Sequence, residues 1–335
     1  MSVGLVRATI DHMIRIATIG TSTITRTFLD AAAQVPAVQV ATAYSRNSEH
    51  AAQFAAETGI AQSSADLDGL LASADVDAVY IASPNGIHHD QALQAIGAGK
   101  HVLVEKPAFP TVAEFDELAA AASAADVIVL EAIRNVYDPA MAALAELLPE
   151  IGVLRRASFA YCQRSARYDK VLAGERVNIF DPALAGGALY DLGVYPIAAM
   201  IHLFGEPDRV LGAAIPIPGG ADGAGAALAI YDGFIVDLSY SKITASNRVN
   251  EIQGERGTIT FDHVAEPRTA TVTSLDGVQR DYELDVPHNN MEHEIRRFAD
   301  LISGADTPER DHAGTRATLR VVETIHTGSS RFGHA

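Results

Sequence analysis

The chain of 335 residues holds a single cysteine, Cys162, so no disulfide can form within it, and a reducing compartment, the cytoplasm, is expected. It is also poor in positive charge: Lys and Arg number 25 against 42 Asp and Glu, a formal net charge of −17. Such a chain repels phosphate backbones and anionic lipid, which excludes a general nucleic-acid or membrane-surface binder. Nowhere do about 18 apolar residues run together, so no membrane span is expected. Residues 1–12 (MSVGLVRATIDH) lack the apolar core and cleavage site of an export signal. The strand-like segments differ in length and spacing, which excludes a repeat array. No Gly-x-Ser-x-Gly elbow occurs, and Cys162 sits in mid-strand, so nucleophilic hydrolysis is disfavoured.

What remains is an ordinary globular balance, 48% hydrophobic and 20% charged. At about 150 residues per domain the length suggests two domains. The first half alternates short apolar runs with helical patterns. The runs are MIRIATI, VQVATAY, DAVYIA, HVLV and VIVL, between residues 13 and 130. They are almost uniformly apolar, as strands buried on both faces are, which predicts a doubly wound parallel sheet covered by helices over residues 13–133. Beyond about residue 150 the pattern changes. A helix is expected over 189–204, then strands in series, with Asp232-Gly233 and Asp276-Gly277 as tight turns. This predicts a second α/β domain over 134–311 with a large, mostly antiparallel sheet open on one face. A C-terminal helix over 312–330 is expected to pack back on the first domain.

In a doubly wound sheet, ligands bind beyond the carboxyl ends of the strands. Five segments lie there. Gly20-Thr21-Ser22-Thr23-Ile24-Thr25 keeps only the first glycine of a dinucleotide fingerprint, but small hydroxyl residues at a helix start can still hold phosphate. The second strand ends in Tyr44-Ser45-Arg46, where an acidic residue would grip the ribose hydroxyls of NAD. Arg46 suits a 2′-phosphate instead and favours NADP, with NAD left open. Ser83, Pro84, Asn85 and His88 follow the third strong strand and can face a nicotinamide ring. Glu105-Lys106-Pro107 ends the strand HVLV; a lysine there can act as acid or base, or clamp a substrate oxygen. Asp191 and Tyr195, four apart in GGALYDLGVYP, are expected on one helical face. A carboxylate and a phenol beside a lysine can bind a diol and move one proton.

The combination IGTSTIT, YSRN, SPNGIHH, EKP and GGALYDLGVYPI resembles the glucose–fructose oxidoreductase/inositol dehydrogenase (Gfo/Idh/MocA) family, nearest its dihydrodiol dehydrogenase and NADP-linked xylose dehydrogenase branch. The later EIQGERGTITF is similar to a turn of that family's second domain. The resemblance implies a Rossmann domain, an open sheet that makes a homodimer or homotetramer interface, and NAD(P)-dependent oxidation or reduction of a sugar, polyol or diol. By motif, it casts Lys106 as the catalytic lysine and Asp191 as the substrate-binding or catalytic aspartate. Tyr195, where the family often has His, becomes the proton donor and acceptor, with the roles of Lys106 and Tyr195 open to exchange. The cofactor would lie along Gly20, Thr21, Ser22, Thr23, Ile24, Ser45, Arg46, Ser83, Pro84, Asn85, His88, Glu105 and Lys106. A dinucleotide-sensing regulator and a glycosidase that retains NAD are the alternative functions. Arg134-Asn135 and Arg164, Arg167, Tyr168 and Asn178 are weaker pocket candidates. His288, Glu292, His293 and Glu294 lack metal-ligand spacing, so no metal is expected.

Overall fold

The computed structural model describes residues 13–284, 287–328 and 330–331; residues 1–12, where no export signal is read, lie outside the described residues. Six strands form the first sheet: β1 (Ile14–Ile19), β2 (Val38–Tyr44), β3 (Gln62–Ser64), β4 (Ala78–Ile81), β5 (His101–Glu105) and β6 (Val129–Ala132). Every pairing is parallel, in the order β3-β2-β1-β4-β5-β6. The apolar runs are buried on both faces. Helices Thr23–Ala32 and Met291–Ile302 cover one face, through Phe28, Ile295 and Phe298. Helices His88–Gly97 and Val112–Ala124 cover the other, through Ile96, Phe115 and Leu118. Fully burying one such side chain stabilises the fold by about 1.5–3 kcal/mol. The chain leaves β1 and β4 in opposite directions, so a crevice opens between their carboxyl ends.

Nine strands form the second sheet: β7 (Leu154–Cys162), β8 (Arg209–Pro216), β9 (Asp222–Tyr231), β10 (Phe234–Ser241), β11 (Asn250–Gly254), β12 (Gly257–Phe261), β13 (Thr269–Ser274), β14 (Gln279–Glu283) and β15 (Ser330–Arg331). The order is β14-β13-β12-β11-β7-β10-β9-β8-β15, with β7–β10 and β8–β15 parallel and the rest antiparallel. Both Asp-Gly turns form as expected, with Gly233 at φ +85° and Gly277 at φ +86°. One face is packed by helix Val194–Phe204, whose residues Val194 to Ile201 are all buried. The other face is polar and partly exposed, with Arg156, Ser158 and Arg248 gathered around Asp237.

Two local readings differ from the sequence expectation. The helix at 189–204 is not regular: Leu189–Gly193 is one wide π turn, and the α-helix starts only at Val194. Helix Met291–Ile302 is expected in the second domain, but its apolar face packs into the core of the first sheet and helix Thr23–Ala32. The last helix, Glu309–Gly328, joins both lobes. Leu319 lies in the first core, and Val321, Val322 and Ile325 lie in the second. The stretch Pro182–Phe204 is apolar and long enough to cross a membrane by composition, but most of it is buried inside the second lobe.

Candidate active site

A cleft of about 960 Å3 runs between the two lobes at the carboxyl ends of the first sheet. Its first wall is largely backbone. Gly20 follows β1 with φ +120°, and a Cβ there would stand 2.6 Å from the carbonyl oxygen of Ala82, so only glycine fits the turn. Thr21, Ser22, Thr23 and Ile24 line the cleft where helix Thr23–Ala32 begins. The early N–H groups of that helix are suited to an anion. Thr25 does not join them. Its hydroxyl donates to Gly20 O at 3.2 Å and accepts from the Ser22 N–H at 3.3 Å, which ties the loop shut. Ser45 and Arg46 line the same wall, and Arg46 is exposed, with no ion pair among the described residues.

Ser83, Pro84 and Asn85 also line the cleft. Ser83 Oγ donates to Gln91 Oε1 at 2.6 Å, and Asn85 Nδ2 donates to Ala185 O at 3.0 Å, tying the two lobes together. His88 corrects the sequence reading, because it is fully buried and does not line the cleft. Its Nε2 lies 2.8 Å from Ser83 O and its Nδ1 3.2 Å from Ala108 O. Burial lowers its pKa. The ring braces the Ser83 and Pro107–Phe109 loops from behind and has no face left for a nicotinamide. Glu105 lies at the inner edge and accepts from the Tyr80 hydroxyl at 2.5 Å. Burial raises its pKa, and Lys106 partly offsets that.

The opposite wall is built from charged side chains. Lys106, at the end of β5, donates from Nζ to Asp191 Oδ1 at 2.8 Å and to Asp191 O at 2.7 Å. The wide turn at Leu189–Gly193 leaves that carbonyl available, and such turns recur at functional sites. The Lys106 ammonium also lies 5.0 Å from the centre of the Tyr195 ring, with the Arg134 guanidinium 5.7 Å from it. The expected trio, drawn from the first sheet and the second lobe, therefore meets in one place.

Its electrostatics follow from burial and pairing. Burial works against the Lys106 ammonium, but Asp191, with Tyr195 and Glu105, outweighs it and holds the group well above the ordinary lysine range. Burial would raise Asp191 too, but the cations beside it hold its carboxyl far below the usual range. Burial raises the Tyr195 phenol, with Lys106 and Arg134 pulling the other way. Lys106 is thus a fixed cation and Asp191 a fixed anion, which leaves Tyr195 as the member of the trio suited to exchange a proton.

Sequence reading missed Lys242. This lysine follows β10, is 3% exposed, lines the cleft, and pairs with the second oxygen of Asp191. The signal was present in the alternation of FIVDLSYSK: Val236, Leu238 and Tyr240 point into the core, and Lys242 takes the next inward position.

Arg164, Arg167 and Asn178 line the cleft, together with Tyr161 and Gln163. Tyr168 does not; it packs on Phe180, with ring centres 5.9 Å apart. Arg134 pairs with Glu266 at 2.5 Å, and Asn135 is a brace that donates to Tyr195 O at 3.1 Å and Val264 O at 3.2 Å. Glu294 is buried in the first core and Glu292 lies 3.9 Å from Arg296. Among the described residues no group of His, Cys, Asp or Glu is arranged to hold a metal ion.

Residues 14–133 match the model of an oxidoreductase family with an NAD-binding Rossmann fold, and residues 148–260 match the GFO/IDH/MocA C-terminal domain. The chain is 38% identical over 313 residues to a scyllo-inositol 2-dehydrogenase (NADP(+)), IolU, of Bacillus subtilis, covering 93% of this chain and 95% of the relative. It is 28% identical over 306 residues to a D-xylose 1-dehydrogenase (NADP(+)) of Haloferax volcanii, covering 87% and 91%. The fold superposes with a TM-score of 0.87 on KijD10, a 3-ketoreductase from Actinomadura kijaniata in complex with NADP and TDP-benzene, at 24% identity over 96% of this chain and 99% of that one.

Proposed function

The chain belongs to the GFO/IDH/MocA oxidoreductase family, and on that premise we propose that it is an NADP-preferring dehydrogenase or reductase of a small polyol- or sugar-like substrate. One observation carries this reading: Lys106, Asp191 and Tyr195 converge on the cleft that the Gly20 loop also lines. When bound, the nicotinamide cofactor supplies or accepts the hydride. The loop fits such a group, since Gly20, Thr21, Ser22 and Thr23 line the cleft where helix Thr23–Ala32 begins, with the early helix N–H groups suited to an anion. Arg46 is the residue placed to meet a 2′-phosphate.

The protein's own part is positioning and proton transfer. In oxidation, the substrate hydroxyl gives its proton to the ionised Tyr195 Oη; in reduction, the Tyr195 phenol gives it to the carbonyl oxygen. Lys106 stabilises the negative charge that develops at either oxygen. Asp191 orients Lys106 and is available to a neighbouring substrate hydroxyl. A sensor without catalysis would have no use for a phenol held between two cations, and this disfavours the regulatory alternative. The similarity to an inositol dehydrogenase supports a polyol substrate. The exposed Leu211 and Ile215 of β8 and Ile235 of β10 support pairing of two copies through the second sheet. The single half-buried thiol, Cys162, supports a cytoplasmic setting.

The test is absorbance at 340 nm with a panel of inositols, sugars and dihydrodiols, with NADP and NAD in parallel. Turnover with a polyol and a preference for NADP are expected. Arg46→Ala should lower the NADP-to-NAD ratio of kcat/KM by about tenfold or more, the loss of one charge-assisted contact. No turnover on the panel, with no uptake of either nucleotide by calorimetry, would overturn the reading.

A further inference from the structure

The chain holds four lysines, Lys100, Lys106, Lys170 and Lys242; all its other cationic side chains, histidines apart, are arginines. Two of the four meet on one carboxylate. Lys106 takes Asp191 Oδ1 and Lys242 takes Oδ2. They arrive from different lobes, Lys106 from the end of β5 and Lys242 from just beyond β10. Lys242 continues the core-facing alternation of β10 one residue past its end, where an apolar side chain is the rule, and a buried ammonium there is unfavourable unless paired. Its backbone is held on both sides: its N–H donates to Gly223 O at 2.8 Å, and its carbonyl accepts from Ser165 N at 2.8 Å. The ammonium lies 5.1 Å from the centre of the Phe180 ring, whose face favours a cation. Two further cations are already balanced or solvated: Arg134 pairs with Glu266, and Lys170 lies near Glu175 on the surface.

A lone Lys106–Asp191 pair would be neutral as seen from Tyr195. It would do little for a charge appearing on the phenol or on a substrate oxygen. With Lys242 on the far oxygen, two ammoniums share one carboxylate and one positive charge is left over. We propose that Lys242 is a positioning residue of this site: from the second sheet it neutralises Asp191 and fixes its orientation, so that the charge of Lys106 stays available to Tyr195 and the reacting oxygen. Asp191 is then a shared counter-ion between two lobes rather than the base. This rests on the catalytic reading above and deepens it.

The groups that face Lys242 are Asp191, Lys106 and Arg167. Those that face Tyr195 are Lys106, Arg134, Glu105 and Asp191, with the Tyr161 ring 5.5 Å away. Removing the Lys242 charge leaves Lys106 and Asp191 as a neutral pair, which makes a phenolate at Tyr195 harder to form. The rise of kcat/KM with pH in the oxidation direction should therefore move upward.

The experiment compares wild type, Lys242→Met and Lys242→Arg. In Lys242→Met, kcat should fall about 10- to 100-fold and the pH rise of kcat/KM should move up by about one pH unit, while the NADPH dissociation constant, read by its fluorescence, stays within about threefold. Lys242→Arg keeps the charge and should keep the wild-type pH profile even if kcat is lower. A structural role alone would reduce active enzyme without moving the profile. A second arm needs no turnover: with only four lysines, 13C labelling at their ε-carbons makes each titration readable by NMR. Lys242 must remain an ammonium from pH 6 to 8; a neutral amine there overturns the proposal, whichever variants fold. An active wild type with an unmoved Lys242→Met profile overturns this inference alone. A wild type that binds no pyridine nucleotide overturns the catalytic reading and this inference with it.

Discussion

The two walls of the cleft are made of different material. The wall at the ends of β1, β2 and β4 is backbone and short side chains: a glycine that nothing can replace, a helix start, and hydroxyls that mostly bond to the loop itself. The facing wall is long and charged, its inner cations held on carboxylates: Lys106 and Lys242 on Asp191, Arg134 on Glu266. The difference teaches where each function resides. A backbone wall binds through its shape, so its weak point is any added atom. A charged wall acts through a balance, so its weak point is any removed atom.

The sharpest way to break this distinction is to remove one charge. Lys106→Met should lower kcat by about 10^3-fold, the scale of a lost electrostatic and proton-handling partner, with NADPH affinity changed less than about threefold. If affinity fell by the same factor as turnover, the walls would not be separate in function. The next test adds one atom to the other wall. Gly20→Ala drives a Cβ toward Ala82 O at a φ that L residues avoid, a strain of about 1–3 kcal/mol. The NADPH dissociation constant should rise about 10- to 100-fold, with kcat at saturating cofactor nearly kept. The two variants should thus be mirror images, and a steady-state titration of each with NADPH decides it.

The same contrast explains what was legible in the sequence. Local signals survive translation into space. Gly20 after an apolar run, Arg46 at the end of the second strand, and Lys106 closing HVLV all stand where strand ends put them. The apolar strands, their parallel order and both Asp-Gly hairpins follow from burial on two faces and from turn chemistry. Three things were not legible for one physical reason each. His88 opens a helix, and sequence alone does not say whether its ring faces the ligand or the core behind it. Asp191 and Tyr195 were expected at ordinary helical spacing, but the π turn between them widens the register and exposes a carbonyl to Lys106. Lys242 pairs with a residue 51 positions away across two elements. Only the alternation of β10 marked it, and alternation names a buried face without naming its partner.

The smallest expected effect extends the comparison one layer down, to a buried carboxyl that no cation pairs with directly. Glu131, 1% exposed in β6, accepts from the Ala108 N–H at 2.9 Å, with the Thr315 hydroxyl also beside the carboxyl. Burial, opposed by that N–H, pushes its pKa from 4.5 up to about 7. Asp191 is half-buried, yet its pKa is driven down, because two ammoniums stand against it. Burial alone therefore does not set the sign; pairing does. The two groups should pull stability in opposite directions with pH. Asp191 favours the fold above the ordinary carboxylate range and loses that contribution as pH falls. Glu131 binds its proton more tightly folded than unfolded, so its contribution is full below about pH 4.5 and is lost as pH rises through about 7. That window corresponds to at most about 3 kcal/mol. Glu131→Gln keeps an acceptor for Ala108 and cannot ionise. Urea midpoints from pH 5 to 8 should fall more steeply for wild type than for Glu131→Gln, the two curves diverging toward high pH. Parallel curves would mean that Glu131 ionises as easily inside the fold as outside it, and the pairing rule drawn from the charged wall would not extend beyond the cleft.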